Sequence, residues 1–568
     1  MKTPHLLTLA AGLLLSLTPA PARAQATTNP TATNPAVGGS VNAADTSQHW
    51  WNDRVFYEIF VRSFADSTSG PLSGDGVGDL RGIIEKLDYL NDGDPATTTD
   101  LGVTGIWLMP INPSPSYHGY DVTDYNDINP AYGSMDDFKE LLAACHARGI
   151  AVIIDFVANH CSRNHPWFQE AKNPESDTRD WFIWSDTDPA WKGPWNQQVW
   201  HRIPAPGGGT QFYYGLFSSH MPDFNFRNDA ATAAILGAVD FWKGVGVDGL
   251  RLDAIRHLIE TDRVQESTPE THEWLRTRFY PATKADRPNF LTIGEVWADS
   301  RQASSYVGDQ MDLVFEFATA DAMLAAARSG NAARAHAAFE EIARLYPLNQ
   351  FGSFLTNHDQ GRIANQLRHR PGPMRAAAAM LLLGPGVPFL YYGEEIGMTG
   401  DKPDELIRTP MQWSADRNAG FSAAPPWQAP NGDWTDRNVA AQAGDPESLL
   451  SHYRRLIALR NGSVDLRCGS LEPIRTGVPD LLAFVRSAVP KGGAERTAAL
   501  VIINLGGESV ANLGLSTASP VLDSFTTATN LVDGTAVSTP EHDGLTGFDG
   551  YAPAISIPAF GFGVIEFR

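Results

Sequence analysis

The chain has 568 residues, of which 43% are hydrophobic and 19% charged, and this length suffices for two or three packed domains. Its formal net charge of −22 argues against a nucleic acid or an anionic membrane as partner, because both require clustered basic residues. After the N-terminal segment no apolar run reaches the ~18 residues of a membrane span, so we expect no membrane partner. We also expect a monomer.

The N-terminal segment, residues 1–24, has the features of a secretory signal peptide. A basic start at Lys2 precedes an apolar stretch at residues 6–17 and a site of small residues, Ala-Arg-Ala, directly before Gln25. We therefore expect cleavage before Gln25 and a secreted protein, either periplasmic or extracellular. Residues 25–49, rich in Thr, Asn, Ala and Pro, predict a flexible leader.

Eight short apolar runs alternate with helical patterns, which predicts an α/β protein built on a (β/α)8 TIM barrel. The barrel is expected at residues 50–159 and 223–462, with an inserted subdomain B after strand 3 at residues 160–222. The later run of short strands with turn residues between them predicts a C-terminal all-β sandwich at residues 463–568. The predicted barrel strands are at 55–64, 103–111, 150–160, 247–253, 290–297, 311–317, 351–359 and 387–395.

Charged residues stand at the carboxyl ends of several predicted strands. In GVDGLRLDAIRH (246–257), Leu250 and Leu252 share one face of the strand, while Arg251 and Asp253 share the other. The leucine face must meet the helices, so the charged face points inward and meets solvent only at the C-terminal mouth, where barrel enzymes carry their active sites. Other strands add Asp155, His160, Glu295, His358 and Asp359 at the same end. One acid at a strand end is usually a turn residue, but that role does not account for all of these together.

Three inward carboxylates and an arginine point to glycoside hydrolysis, in which one carboxylate attacks the sugar and another protonates the leaving oxygen. Repulsion between two carboxylates ~5.5 Å apart would raise one pKa to about 6. Because Asp253 shares a face with Arg251, we expect Asp253 to be the ionised group and Glu295 the neutral proton donor.

Four motifs resemble the signature regions of the α-amylase family, glycoside hydrolase family 13, in order and over nearly the whole chain. They are DFVANH (155–160), GLRLDAIRH (249–257), GEVW (294–297) and TNHD (356–359). The resemblance implies that Asp253 is the nucleophile, Glu295 the general acid/base and Asp359 a third acid that grips the 2- and 3-hydroxyls of the sugar. It also implies a substrate-binding −1 subsite lined by Tyr120, His160, Arg251 and His358.

Three further stretches bear on the kind of substrate. MPDFNF (221–226) looks intermediate between oligo-1,6-glucosidases and neopullulanases, and residues 408–422 resemble a loop of α-glucosidases and trehalose synthases, but residues 90–111 most resemble bacterial α-amylases. The leading hypothesis is an α-amylase that cleaves α-1,4-glucosidic bonds of starch and maltooligosaccharides. The alternatives are an exo-acting α-glucosidase or trehalose synthase-like transglucosylase and, more remotely, a non-catalytic carbohydrate-binding protein.

Two substrate-binding candidates, Asp121 and Arg362, decide between an open cleft and a closed pocket. Each follows a motif residue that the resemblance places at the −1 subsite, so we expect them to face each other across its far wall. Such a pair would grip the 4-hydroxyl of a terminal sugar and close the cleft. The alternative is a solvated rim pair that contributes ~0–1 kcal/mol and leaves the cleft open.

The sequence leaves open whether the protein binds calcium and whether it contains a disulfide. DGVGD (75–79) looks like the second half of the family's calcium loop, which implies Asp66, Asp75, Val77 and Asp79 as ligands, but STSGPLSG separates Asp66 from the rest. A glycine-rich turn without metal is the alternative. Asn159 matches a calcium-ligating position of many amylases, or it braces its loop. Cys145, Cys161 and Cys468 allow at most one disulfide.

Overall fold

The computed structural model describes residues 49–261, 263–488, 496–541 and 546–568. The predicted signal peptide and all but the last residue of the predicted leader lie outside the described residues. No helix in the described ranges is long and apolar enough to cross a membrane.

The first eleven strands make two sheets. Those of the larger sheet run parallel in the order β10-β11-β1-β2-β3-β7-β8-β9, and a parallel bridge between Phe315 and Gly352 joins the two edges. This closure confirms the predicted (β/α)8 barrel. Strands β4–β6 form a separate antiparallel sheet within the inserted segment. The strands are β1 (Phe56–Ile59), β2 (Gly105–Leu108), β3 (Ala151–Phe156), β4 (Trp184–Ser185), β5 (Trp200–Pro204), β6 (Thr210–Tyr214), β7 (Gly249–Leu252), β8 (Leu291–Gly294), β9 (Leu313–Val314), β10 (Gly352–Ser353) and β11 (Val387–Tyr391).

Helices follow the barrel strands and end where the local sequence dictates. They are α1 (Val61–Phe64), α2 (Leu80–Glu85), α3 (Leu87–Leu90), α4 (Met135–Ala147), α5 (Pro166–Ala171), α6 (Asp229–Val245), α7 (Pro269–Trp274), α8 (Tyr280–Lys284), α9 (Ser300–Ser304), α10 (Phe317–Ser329), α11 (Ala333–Leu345), α12 (Ile363–Gln366), α13 (Pro371–Leu383), α14 (Asp404–Ile407), α15 (Val439–Ala443), α16 (Leu449–Gly462) and α17 (Val464–Cys468). Before α4, Ser134 and Asp137 form a reciprocal capping box. After α6 the chain turns at Gly246 with φ 113°, a conformation that glycine adopts without steric cost.

The two faces of each barrel strand meet different neighbours. Leu250 and Leu252 pack in the main hydrophobic core, whereas the interior of the barrel is filled by a separate cluster of large side chains that includes Phe56, Trp107 and Phe389. Arg251, with no solvent exposure, lies on the interior face of β7 and has its guanidinium 5.1 Å from the Trp107 ring centre.

The C-terminal strands form one antiparallel sheet in the order β17-β16-β19-β14-β13-β12-β15-β18. Alternate residues of β13 are buried on opposite faces: Leu482 and Phe484 join the barrel core, while Leu481, Ala483 and Val485 join a second core with β15 and β18. The sheet is thus covered on both faces, which confirms the all-β C-terminal domain. Its strands are β12 (Glu472–Thr476), β13 (Leu481–Arg486), β14 (Ala498–Asn504), β15 (Leu515–Thr517), β16 (Ala528–Asn530), β17 (Ala536–Val537), β18 (Phe548–Tyr551) and β19 (Phe562–Phe567).

Candidate active site

Arg251 holds three carboxylates together at the C-terminal mouth of the barrel. Its Nη1 lies 2.9 Å from Asp155 at the end of β3 and 2.7 Å from Asp253, and its Nη2 lies 3.0 Å from Glu295, directly after β8. The Glu295 contact is an ion pair by distance, without the geometry of a hydrogen bond. Asp253 and Glu295 are each 13% exposed, so a ligand in the mouth can reach both.

The backbone directly after Asp253 is bent toward Glu295. Ala254 adopts the left-handed conformation with φ 49°, which is uncommon for a residue other than glycine and is found most often at functional sites. The bend lets the Ala254 N–H donate a hydrogen bond to Glu295 Oε2 at 3.0 Å. The chain segment that carries one reactive carboxylate therefore also orients the other.

Arg251 does not distinguish the two carboxylates in the way that the sequence suggested. Burial raises the pKa of Asp253 to about 6 even though Arg251 opposes the shift, and burial also raises the pKa of Glu295 against the same arginine. The expectation that Arg251 favours only the ionised form of Asp253 is wrong, because one guanidinium contacts both acids.

Asp359 is the acid that is kept ionised. Arg408 Nη2 donates to Asp359 Oδ1 at 2.8 Å, and His358 Nε2 lies 3.1 Å from Oδ2. Burial would raise the pKa of Asp359, but His358 and Arg408 outweigh it and hold the pKa well below its usual range. The side chain is 30% exposed, so this carboxylate can accept hydrogen bonds from a ligand.

The predicted −1 subsite residues Tyr120 and His358 lie against this acid group. The Tyr120 hydroxyl is 3.0 Å from Asp155 Oδ2 and 2.7 Å from His358 Nε2. Burial alone would lower the pKa of His358, but Asp359 and Glu58 raise it to about 10. His160 is also buried, which lowers its pKa to about 4, and its Nε2 has no hydrogen-bond partner among the described residues.

The predicted pair of Asp121 and Arg362 does not form. Arg362 is 1% exposed, and its Nε and Nη1 donate to the carbonyl oxygens of Ile407 and Tyr392, at 2.8 and 2.6 Å. Asp121 instead accepts hydrogen bonds from Ser114 and Ser116. The predicted Asp121–Arg362 pair is therefore wrong, because two backbone carbonyls bind Nε and Nη1 of Arg362, while its Nη2 is buried without a hydrogen-bond partner among the described residues.

Two contact residues, Arg408 and Glu58, were not identified from the sequence. Arg408 opens the segment 408–422 that was noted only as a subfamily motif. Glu58 lies on the inward face of β1 and contacts His358 Nδ1 at 2.5 Å. A charged residue inside an apolar strand was available as a signal in FYEIF, and it is the signal that did identify Arg251.

The loop proposed to bind calcium does not fit a cation. Both Asp66 oxygens accept backbone N–H groups, from Gly74 and Gly76, each at 2.8 Å. Asp79 accepts from Ser67 and caps α2 through Gly82, and the exposed Asp75 turns back to the Val77 N–H at 2.8 Å. The described residues contain no group of three or more His, Cys, Asp or Glu side chains suited to a metal. The carboxylates of Asp66, Asp75 and Asp79 thus serve hydrogen bonds within the turn, so the structure gives no support to a calcium site formed by them and the Val77 carbonyl.

Asn159 lies in a different environment, where the chain enters and leaves subdomain B. Its Oδ1 and the Oδ2 of Asp223 are both buried and have no hydrogen-bond partner among the described residues. The Phe224 N–H donates to the Asn159 carbonyl at 3.0 Å, so the two segments run side by side. Two unpartnered oxygens of an amide and a carboxylate are the donor type that a hard cation such as Ca²⁺ prefers.

Comparisons with known proteins agree with this site. The family model described as "Alpha amylase, catalytic domain" matches residues 58–469. "Alpha-amylase 3" of Dictyoglomus thermophilum is 37% identical, covering 77% of this chain and 83% of that protein, and "Trehalose synthase/amylase TreS" of Mycolicibacterium smegmatis is 33% identical, covering 82% and 86%. The crystal structure of the alpha-amylase from H. orenii matches with a TM-score of 0.76 and 38% identity, covering 91% of this chain and 99% of that one. The chain thus belongs to the α-amylase family, glycoside hydrolase family 13, and is an enzyme of that type rather than a non-catalytic binding protein.

Proposed function

We propose that this protein is a retaining α-amylase that cleaves α-1,4-glucosidic bonds of starch and maltooligosaccharides. The observation that carries the proposal is the contact of one guanidinium, that of Arg251, with both Asp253 and Glu295. Two carboxyl groups on one guanidinium are close to the ~5–5.5 Å separation of retaining enzymes, which leaves no room for a water molecule between acid and sugar.

The reaction follows from these positions. Asp253 attacks the anomeric carbon while Glu295 gives its proton to the glycosidic oxygen, so the leaving sugar departs as an alcohol and a glycosyl ester forms. Glu295, now ionised, takes a proton from water as the water oxygen attacks the same carbon and Asp253 leaves. Asp359, held by Arg408 and His358, accepts hydrogen bonds from the sugar hydroxyls through both steps.

An open cleft is favoured by the position of Arg362. Because its guanidinium is bound to the carbonyls of Ile407 and Tyr392, it does not pair with Asp121 to wall off the end of the cleft. A chain that continues beyond the −1 subsite can then bind, which supports internal cutting. An exo-acting α-glucosidase or trehalose synthase-like transglucosylase remains the second candidate, favoured by the 33% identity to the trehalose synthase/amylase.

Maltoheptaose blocked at its non-reducing end distinguishes the two candidates. An α-amylase cleaves both the blocked and the free sugar and releases products in the α-anomeric form, as followed by proton NMR. If the blocked sugar stays intact while free maltoheptaose is degraded, the enzyme is exo-acting. If incubation with maltose yields trehalose as the main product, it is a transglucosylase.

Three further features complete the proposal. On the sequence of residues 1–24 we propose that the protein is secreted and begins at Gln25, which the mass of the protein recovered outside the cytoplasm tests. We also propose that it acts as a monomer, which light scattering in solution tests. We also propose that Ca²⁺ binds between Asn159 and Asp223 rather than in the loop at residues 66–79. The two unpartnered oxygens support this site, and the ion would join subdomain B to the barrel without entering the chemistry.

A further inference from the structure

Glu58 carries a carboxylate into the interior of the barrel, beside the cluster of large apolar side chains that includes Phe56 and Trp107. It lies in β1, is 2% exposed, and accepts a hydrogen bond from His358 Nδ1 at 2.5 Å. Among the described residues His358 is the only side chain found to hydrogen-bond or ion-pair with the Glu58 carboxylate. The Glu58 carboxylate therefore acts on one side chain, the His358 ring, which also contacts Asp359.

His358 has an acceptor at each of its ring nitrogens. Nδ1 faces Glu58, and Nε2 lies 3.1 Å from Asp359 Oδ2 and 2.7 Å from the Tyr120 hydroxyl. A neutral imidazole carries one N–H, so with Glu58 on Nδ1 its Nε2 lone pair would point at the Asp359 carboxylate. Only the doubly protonated ring donates to Glu58 through Nδ1 and at the same time presents a positively charged Nε2–H to Asp359, with which it forms an ion pair at 3.1 Å.

The other charged groups near the His358 ring have opposing effects on its protonation. Arg408 donates to the His358 carbonyl at 3.0 Å and opposes a positive ring, while Asp155, one hydrogen bond away through Tyr120, favours it. Taken together, the two adjoining carboxylates raise the pKa of His358 to about 10. The titratable and charged groups that face the ring are Glu58, Tyr120, Asp155, Asp359 and Arg408.

We propose that Glu58 is a positioning residue that keeps His358 doubly protonated, so that Nε2–H fixes the Asp359 carboxylate for the sugar. The role given to Asp359 rests on the proposed function, whereas the protonation state of His358 does not. Without the charge of Glu58 the ring loses a proton at lower pH, and the hold on Asp359 is lost with it.

Glu58→Gln tests the proposal because the amide oxygen can still accept from Nδ1 but carries no charge. Glu395→Gln is the matched control: Glu395 is a fully buried acid after β11 that accepts from the hydroxyls of Tyr57 and Tyr89 and has no contact with His358. The His358 ring is followed by nitrogen-15 NMR of the histidine-labelled full chain, with the signal assigned by loss in His358→Gln. In parallel, kcat/KM is measured against pH on a chromogenic maltooligosaccharide.

In the wild-type protein and in Glu395→Gln, His358 is expected to keep both ring N–H groups through neutral pH. In Glu58→Gln the midpoint of the His358 titration should fall by about one to three pH units. The alkaline decline of kcat/KM should move to lower pH with it. A wild-type His358 that is neutral at pH 7 overturns the proposal even if Glu58→Gln does not fold, and so does an unchanged midpoint in Glu58→Gln. If no maltooligosaccharide is cleaved, the proposed function fails while the ring titration still decides the role of Glu58.

Discussion

Asp253, Glu295 and Asp359 have different partners but should be equally indispensable. Asp253→Asn replaces the attacking carboxylate with a neutral amide that is a poor nucleophile. Glu295→Gln removes the transferable proton, and Asp359→Asn removes the charge that Arg408 and His358 hold. We expect each variant to lose turnover by a factor of at least ~10²–10⁴, the usual contribution of a positioned acid or base. Each substitution keeps the shape of the side chain, so circular dichroism should show an intact fold.

Asp124→Asn is the control for these three variants, because Asp124 is an exposed acid next to the same sugar-binding segment. It should retain wild-type turnover on maltoheptaose. If any of the three active-site variants retains more than about a tenth of the turnover, the role assigned to that residue is wrong.

Single residues could be predicted where strand periodicity fixes the direction of a side chain. The direction of Arg251 and Asp253 was predicted from the alternation of side chains along one strand, because charged side chains on its inward face can reach solvent only at the barrel mouth. Arg362 was misplaced because it follows a strand by several residues, where no period applies and the direction depends on which carbonyls lie nearby. Glu58 and His358 meet across 300 positions of sequence, a contact that no local pattern contains.

The segment between β11 and α15 contains Arg408, which binds the active-site acid Asp359. Arg362 instead donates to two backbone carbonyls of this segment and stabilises it. Arg408→Lys keeps the charge but cannot hold Asp359 and the His358 carbonyl at once, since lysine lacks the planar fork. We expect kcat/KM to fall by about 10- to 100-fold, the equivalent of ~1.5–3 kcal/mol for a hydrogen bond to a charged group, with little change in melting temperature.

Arg362→Lys should behave in the opposite way. Its buried guanidinium binds two carbonyls of the loop, so its loss should lower the melting temperature while kcat/KM on maltoheptaose changes little at moderate temperature. A large fall in kcat/KM at an unchanged melting temperature would contradict this structural role and indicate that Arg362 binds substrate.

Elements were predictable to the extent that burial imposed a pattern on them. All eight barrel strands stand within the predicted apolar runs, although β9 and β10 are only two residues long. The loops at residues 66–79 and 392–438 follow no period, because hydrogen bonds from side chains to backbone and irregularly spaced buried side chains hold them, rather than one regular apolar face. The calcium loop was misjudged for this reason: its acids looked like cation ligands but serve as acceptors for N–H groups within the turn.

A calcium ion bound between the barrel and subdomain B would stabilise the folded protein as a whole. Burial, with Glu260 adding to it, raises the pKa of Asp223 well above its usual range, so a bound cation would compensate for a charge that the protein solvates poorly. Binding to the native state alone raises the melting temperature by mass action. We expect millimolar Ca²⁺ to raise the wild-type melting temperature relative to chelator.

Asp223→Asn should abolish the rise in melting temperature with Ca²⁺. Asp75→Asn, in the loop at residues 66–79, should keep this rise. No shift in the wild-type protein would exclude a calcium site that contributes to stability. A shift lost only in Asp75→Asn would return the site to the loop at residues 66–79.

Two buried acids, Glu394 and Glu260, should each contribute less to the stability of the protein as pH rises from acid to mildly alkaline values. Burial raises the pKa of Glu394 to about 8 and that of Glu260 to about 7, above their ordinary value of 4.5, so the folded chain holds protons that the unfolded chain releases. The free energy of unfolding then falls with pH, by about 1.4 kcal/mol per pH unit for each such acid between its unfolded and folded pKa. Glu394→Gln, which can still accept from the Tyr453 hydroxyl, should match the wild-type melting temperature near pH 5 and exceed it near pH 8, whereas Glu175→Gln, at an exposed position, should follow the wild type throughout. Parallel melting curves for Glu394→Gln and the wild type across this range would show that Glu394 titrates alike in the folded and unfolded chain.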